Sequence, residues 1–132
     1  MNSAMSRSRP RVALVEDDPS VRRSIAMLLK ARGYEVRDYA NGLDLLADAT
    51  CGQAECLVTD YHMPVIDGFS LLGALRERKW TAPAILISGD ADDALESRSI
   101  GGGFAALVRK PITDDRLMTT LAQLVGMPSA GA

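Results

Sequence analysis

Four short apolar runs, each closed by charged or hydroxyl residues and separated by helical stretches, constrain this chain more than any other feature. Arg-Val-Ala-Leu-Val leads into Glu16 and Asp17, and Cys-Leu-Val-Thr ends on Asp60. Ala-Ile-Leu-Ile ends on Ser88, and Ala-Ala-Leu-Val-Arg runs into Lys110. Short runs of this kind read as strands buried on both faces, which is how strands of a parallel sheet are written. In an open α/β sheet the ligand site lies beyond the carboxyl ends of the strands. Three carboxylates, a hydroxyl and an ammonium are therefore expected on one rim, a setting for a metal ion and a phosphoryl group.

With a more polar strand at 34–38, the chain alternates strand and helix five times from Arg11, with no long linker and no repeat. That alternation implies a parallel sheet with right-handed crossovers and helices on both faces. The fold class is α/β: a flavodoxin-like (βα)5 doubly wound sheet with strand order 2-1-3-4-5, which sets Asp60 beside Glu16 and Asp17 at the switch point. Residues 1–9 read as a flexible lead-in, 10–126 as one domain, and 127–132 as a small-residue tail.

The helices carry their own punctuation. Asp18 caps the first, with Pro19 at its first position, Val21, Ile25, Leu28 and Leu29 as its buried face, and Gly33 as its stop. Asn41 caps a second helix with Leu43, Leu45 and Leu46. A third has Phe69, Leu72 and Leu75 on one side. The last begins near Thr113, has Asp114 and Asp115 in its first turn, and buries Leu117, Leu121, Leu124 and Val125. The fourth, within 90–103, has only Ala94, Leu95 and Ile100 as anchors before three glycines that each cost about 1 kcal/mol in a helix. It is expected to be short or loosely held.

Composition removes several classes of function. A net charge of −2 offers no bulk electrostatic support for nucleic-acid binding, and Arg7, Arg9 and Arg11 read as a solvated tail. No apolar stretch approaches the roughly 20 residues that span a bilayer, and the first ten residues lack the apolar run of a signal peptide. A cytoplasmic location is expected. Cys51 and Cys56, the two cysteines, lack zinc or redox spacing. His62 is the single histidine, which removes multi-histidine metal sites, and no Gly-x-Ser-x-Gly accompanies it for a hydrolase.

The chemistry of the rim follows from its residue types. Crowded carboxylates repel, and a hard divalent cation such as Mg2+ relieves this while keeping waters and phosphate oxygens as ligands. Asp17 and Asp60 are the expected direct ligands, with Glu16 acting through water and the backbone carbonyl of His62 within reach. A carboxylate can be the nucleophile and form an aspartyl phosphate. Lys110 supplies a point charge to one phosphoryl oxygen, and Ser88 donates a hydrogen bond to another.

Glu16-Asp17-Asp18-Pro19, Asp60-Tyr61-His62-Met63-Pro64 with Asp67-Gly68, Ser88-Gly89 and Lys110-Pro111 stand in order at the strand ends. In this the chain resembles the receiver domain of bacterial two-component response regulators over about residues 11–125, and Val-Glu-Asp-Asp-Pro-Ser-Val-Arg-Arg is similar to the receivers of FixJ-like regulators. The resemblance implies phosphoryl transfer to Asp60 from a phosphohistidine of a sensor histidine kinase or histidine phosphotransfer protein. It implies an acidic pair at Glu16 and Asp17 that organises Mg2+, a switch hydroxyl at Ser88, a phosphate-contacting Lys110, and a cis peptide bond before Pro111. Self-phosphorylation and self-dephosphorylation at Asp60 would be its catalytic character, and the face of helix four, strand five and helix five its route to a downstream protein target or a homodimer. The DNA-binding helices of FixJ-like regulators are not expected in this chain.

Three positions depart from the family pattern: Ser88 stands where threonine is commoner, a change that keeps the hydroxyl, Leu107 stands where an aromatic is usual, and Phe104 where a small residue is usual. Two competing readings differ in class. A receiver-like interaction module that signals without phosphate is opposed by the complete Glu16, Asp17, Asp60, Ser88 and Lys110 set. A flavin-binding flavodoxin would want hydroxyls and a glycine after strand one, where this chain has Glu-Asp-Asp-Pro-Ser.

Overall fold

A computed structural model describes residues 9–89, 93–112 and 115–128. Five parallel strands, β1 (Arg11–Val15), β2 (Glu35–Tyr39), β3 (Cys56–Asp60), β4 (Ala84–Ser88) and β5 (Ala106–Arg109), form one sheet in the order 2-1-3-4-5. The helices are α1 (Pro19–Ala31), α2 (Gly42–Ala47), α3 (Gly68–Glu77), α4 (Asp93–Gly101) and α5 (Arg116–Val125), with a 3-10 turn at Cys51–Gln53. The register sets Val15 against Thr59, Asp60 against Ile87 and Ser88 against Arg109, so the polar strand ends finish at one level.

The two-residue period of a strand divides the core. Val12, Leu14, Cys56, Val58, Ile85, Ile87 and Val108 face α1 and α5. Ala13, Val15, Leu57, Ala84 and Leu86 face the layer of α2, α3 and α4. Glu16, Asp60 and Lys110 continue the first set, each two residues beyond Leu14, Val58 and Val108. Charge thus converges on the α1–α5 side of the rim because the apolar alternation beneath it does.

The expected caps are present. Asp18 accepts from the amides of Ser20 and Val21, and Asn41 from that of Asp44. Gly33 takes φ +96° directly after α1, and a Cβ there would stand 2.9 Å from Pro128. Several boundaries differ from the sequence reading. β1 stops at Val15, leaving Glu16 just past the strand, and β2 runs 35–39, paired with β1 from Arg11 opposite Glu35 to Val15 opposite Tyr39. α5 starts at Arg116; Thr113 and Asp114 lie outside the described residues, and Asp115 takes the cap position without a side-chain cap bond. In α3 the buried face is Leu71, Leu72 and Leu75, while Phe69 sits half-buried at the rim.

α4 is as weakly anchored as its sequence implies. Leu95 is its one large buried apolar side chain; Ala94 is exposed and Ile100 is 63% exposed. One buried leucine contributes about 2 kcal/mol, against three leucines for α3. The glycines after α4 have a packing role: a Cβ on Gly102 would meet the Phe69 ring at 2.8 Å, and Phe104 is buried edge-on against that ring. No described helix is long and apolar enough to cross a membrane.

The loop from β3 to α3 contains a strained residue. Val65 has φ +75° and is 75% exposed, so a β-branched side chain occupies the left-handed region with little burial to offset it. Val65→Gly is expected to stabilise the protein by about 1 kcal/mol in urea unfolding. A lower midpoint would show that the Val65 side chain has a contact worth more than the strain.

Candidate functional site

Lys110 Nζ lies between two acidic side chains, 2.7 Å from Glu16 Oε1 and 3.0 Å from Asp60 Oδ2. Glu16 is 1% exposed and Asp60 is 6% exposed. Burial pushes the Glu16 carboxyl up, against the downward pull of Lys110 and of the Asp18 amide, which donates to Oε2 at 3.1 Å. Burial alone would pull the Lys110 ammonium down. The two carboxylates outweigh that, and the group is held above its ordinary value. Lys110 is therefore charged at neutral pH, and it offsets the repulsion that Glu16 and Asp60 would otherwise feel at close range.

Asp17 completes the acidic cluster. It is exposed, yet Glu16, Asp17 and Asp60 can each offer a carboxylate oxygen within 4.8 Å of one another. An all-oxygen donor set of this size suits a hard divalent cation. The buried Glu16 Oε1 pairs with Lys110 Nζ at 2.7 Å and has no other hydrogen-bond partner among the described residues, so it keeps lone-pair capacity. The residues present fit such an ion.

Ser88 is the buried last residue of β4, one position beyond the partner of Asp60 in the sheet register. The Lys110 amide donates to its carbonyl at 3.0 Å, and the Lys110–Pro111 peptide bond is cis. His62 follows Asp60 by two residues, with its side chain exposed and its ring 4.2 Å from that of Tyr61. The structure thus gathers Glu16, Asp17, Asp60 and Lys110 directly and places Ser88 beside them on the neighbouring strand.

Three neighbours of the site stand in the motifs quoted from the sequence but were given no role there. The Tyr61 amide donates to Asp60 Oδ1 at 2.8 Å. Arg22 Nη1 donates to the Glu16 carbonyl at 2.9 Å, while its Nε stands 3.3 Å from Asp38, which ties the first acidic loop to the end of β2. Gly68 permits a close approach: a Cβ there would lie 2.7 Å from the Asp60 carbonyl oxygen and 3.0 Å from Leu86. Asp67 caps α3 through the Ser70 amide, and the Gly68 amide donates to the Tyr61 carbonyl. The Asp-Gly pair therefore starts the helix and clears space for the backbone of β3.

The model of the response regulator receiver domain matches residues 12–122. The chain belongs to the response regulator receiver domain family. This receiver is 30% identical over 119 residues to the tetrathionate response regulatory protein TtrR of Salmonella typhimurium, covering 90% of this chain and 58% of that protein. It spans little more than half of such a relative. Among solved structures, the chemotaxis protein CheY4 of Vibrio cholerae superposes with a TM-score of 0.82 at 25% identity, covering 89% of this chain and 99% of that one. Response regulator protein TrrA of Thermotoga maritima, in complex with Mg(2+)-BeF, gives a TM-score of 0.77 at 27% identity, covering 88% and 99%. As a receiver domain of two-component systems, the chain has a fold and family consistent with a phosphorelay.

The tight approach at Gly68 gives a direct test of this receiver's loop. Gly68→Ala is expected to cost about 1–3 kcal/mol in urea unfolding, because the obstructing atom is backbone and cannot swing away. A change within about 0.5 kcal/mol would show that the loop yields freely.

Proposed function

We propose that this receiver takes a phosphoryl group onto Asp60 from a phosphohistidine of a sensor histidine kinase or histidine phosphotransfer protein, in a Mg2+-dependent transfer. The acyl phosphate then alters the face of α4, β5 and α5 toward a downstream protein target. The observation that carries this reading is the placement of one nearly buried carboxylate against both an ammonium and an acidic pair. A structural ion pair would need only Lys110 and one partner. Three carboxylates around one lysine leave a surplus of negative charge that a divalent cation and a phosphoryl group together would use.

In the transfer, a carboxylate oxygen of Asp60 attacks phosphorus in line while the P–N bond to the donor imidazole breaks. The departing imidazole keeps the bonding electron pair and takes up a proton. Lys110 Nζ, already beside Oδ2, follows the new phosphoryl group and neutralises one of its oxygens. The Ser88 hydroxyl donates to another. Tyr61 holds Oδ1 through its amide, which leaves the carboxylate little freedom to rotate. Asp17 and Asp60 would hold Mg2+ directly, the His62 backbone carbonyl would add a ligand, and Glu16 would act through water. When bound, the ion supplies charge neutralisation of the phosphoryl oxygens. Attack by water at phosphorus, with cleavage of the bond from phosphorus to the Asp60 oxygen, would release inorganic phosphate and regenerate Asp60, so the domain's own catalysis is limited to forming and losing this one bond.

Acetyl phosphate with Mg2+ is expected to add one phosphoryl mass to the intact chain, with none added to Asp60→Asn or in EDTA. Efficient labelling of the Asn variant, or labelling undiminished by EDTA, would contradict the assignment. In the same assay Lys110→Ala is expected to slow labelling by a factor on the order of 100, the scale of losing one preorganised electrostatic group.

A further inference from the structure

Tyr61 joins Asp60 to α4, a helix with one large buried apolar side chain. Its amide donates both to Asp60 Oδ1 at 2.8 Å and to the Ile87 carbonyl at 3.1 Å. Its ring is held from α4. The Arg98 guanidinium carbon lies 5.7 Å from the Tyr61 ring centroid and 5.1 Å from that of Phe69, and Arg98 Nη1 donates to the Tyr61 hydroxyl at 3.4 Å. Phe69 meets Tyr61 edge-on at 5.4 Å and Phe104 edge-on at 5.6 Å. A single arginine of α4 therefore contacts the residue bonded to Asp60 and also the ring packed over the end of its own helix.

We infer that Arg98 is a positioning residue for the Asp60 carboxylate, acting through Tyr61, and that the same contact carries the state of Asp60 to α4. The inference rests on the phosphoacceptor reading above and names how that site is regulated. Three physical points support it. A planar guanidinium can lie against two rings at once, which a lysine ammonium cannot reproduce. α4 has one large buried apolar anchor, so a cation–π contact within about 6 Å is a substantial part of what holds it. Coupling between two sites is reciprocal: a clamp that favours one geometry of Asp60 must itself tighten or loosen when Asp60 changes. β5 contributes no ring to this route, since Leu107 is aliphatic and half-buried. The aromatic contacts run through the residue after Asp60 instead.

The test uses the full 132-residue chain as wild type, Arg98→Ala, Arg98→Lys, Tyr61→Ala, and the Arg98→Ala/Tyr61→Ala double variant. Two quantities are read: the rate of labelling by acetyl phosphate in saturating Mg2+, and amide hydrogen exchange of residues 93–103 with and without beryllofluoride. Arg98→Ala and Tyr61→Ala are each expected to slow labelling about two- to five-fold, the span of one exposed cation–π contact. The double variant should be no slower than the slower single, and Arg98→Lys should not rescue. Beryllofluoride should alter protection of 93–103 in wild type, and that response should be lost in Arg98→Ala. Additive losses, rescue by lysine, or an unchanged exchange response in Arg98→Ala would overturn the role of Arg98. A wild-type chain that takes up no phosphoryl group would instead overturn the phosphoacceptor reading beneath it.

Discussion

Lys110 stands between Glu16 and Asp60, and the rest of the molecule can be read as the means of keeping it there. Removing a charge from water costs several kcal/mol per ion, about the net stability of a small domain. Two carboxylates that are almost fully buried are tolerable only because one ammonium lies within 3.0 Å of both. The position of that ammonium is set by β5, whose Val108 lies in the α1–α5 core two residues earlier. The carboxylates are set by β1 and β3 in the same way, through Leu14 and Val58. Arg22 and Gly68 then fix the two loops from outside, one by bonding the Glu16 carbonyl and the other by admitting the Asp60 carbonyl at close range.

This arrangement explains which parts of the structure could be read from the amino-acid order. Strand order and the level of the strand ends follow from apolar runs that end on a polar residue, and 2-1-3-4-5 is what the structure shows. Glu16, Asp17, Asp60, Ser88 and Lys110 were legible because each terminates such a run. Asp18, Asn41 and Gly33 were legible as local punctuation, since a cap or a left-handed stop depends on a few neighbours in sequence. Phe69 was placed with Leu72 and Leu75 on one side of α3 by helical period; it packs half-buried against the same core as they do, and it also meets Tyr61 and Phe104. Nothing in a periodic pattern distinguishes a ring under the sheet from one packed across to another helix.

What was missed shares a cause. Arg22 and Arg98 are ordinary helix-surface arginines in sequence, and they acquire partners only when β2 or the β3–α3 loop is brought beside them. Val65 reads as an unremarked apolar residue, because a positive φ at a valine is a property of the loop that holds it. Phe104 stands where the family usually has a small residue. The space left by Gly102 is filled by Phe69, on which Phe104 packs. α4 is the element where local and tertiary signals agree most closely: few anchors in sequence, one large buried side chain in the structure, and a contact to the site through a surface arginine.

The central claim is that the rim gathers a cation and a phosphoryl group around Asp60. The most direct measurement is a crystal structure of the chain grown with Mg2+ and beryllofluoride. The account requires the beryllium on an Asp60 carboxylate oxygen, with Lys110 and Ser88 contacting its fluorines and the metal ligated by Asp17, Asp60 and the His62 carbonyl. Beryllofluoride on any other residue, or Lys110 still paired with Glu16 and Asp60 while metal and fluoride lie elsewhere, would contradict it.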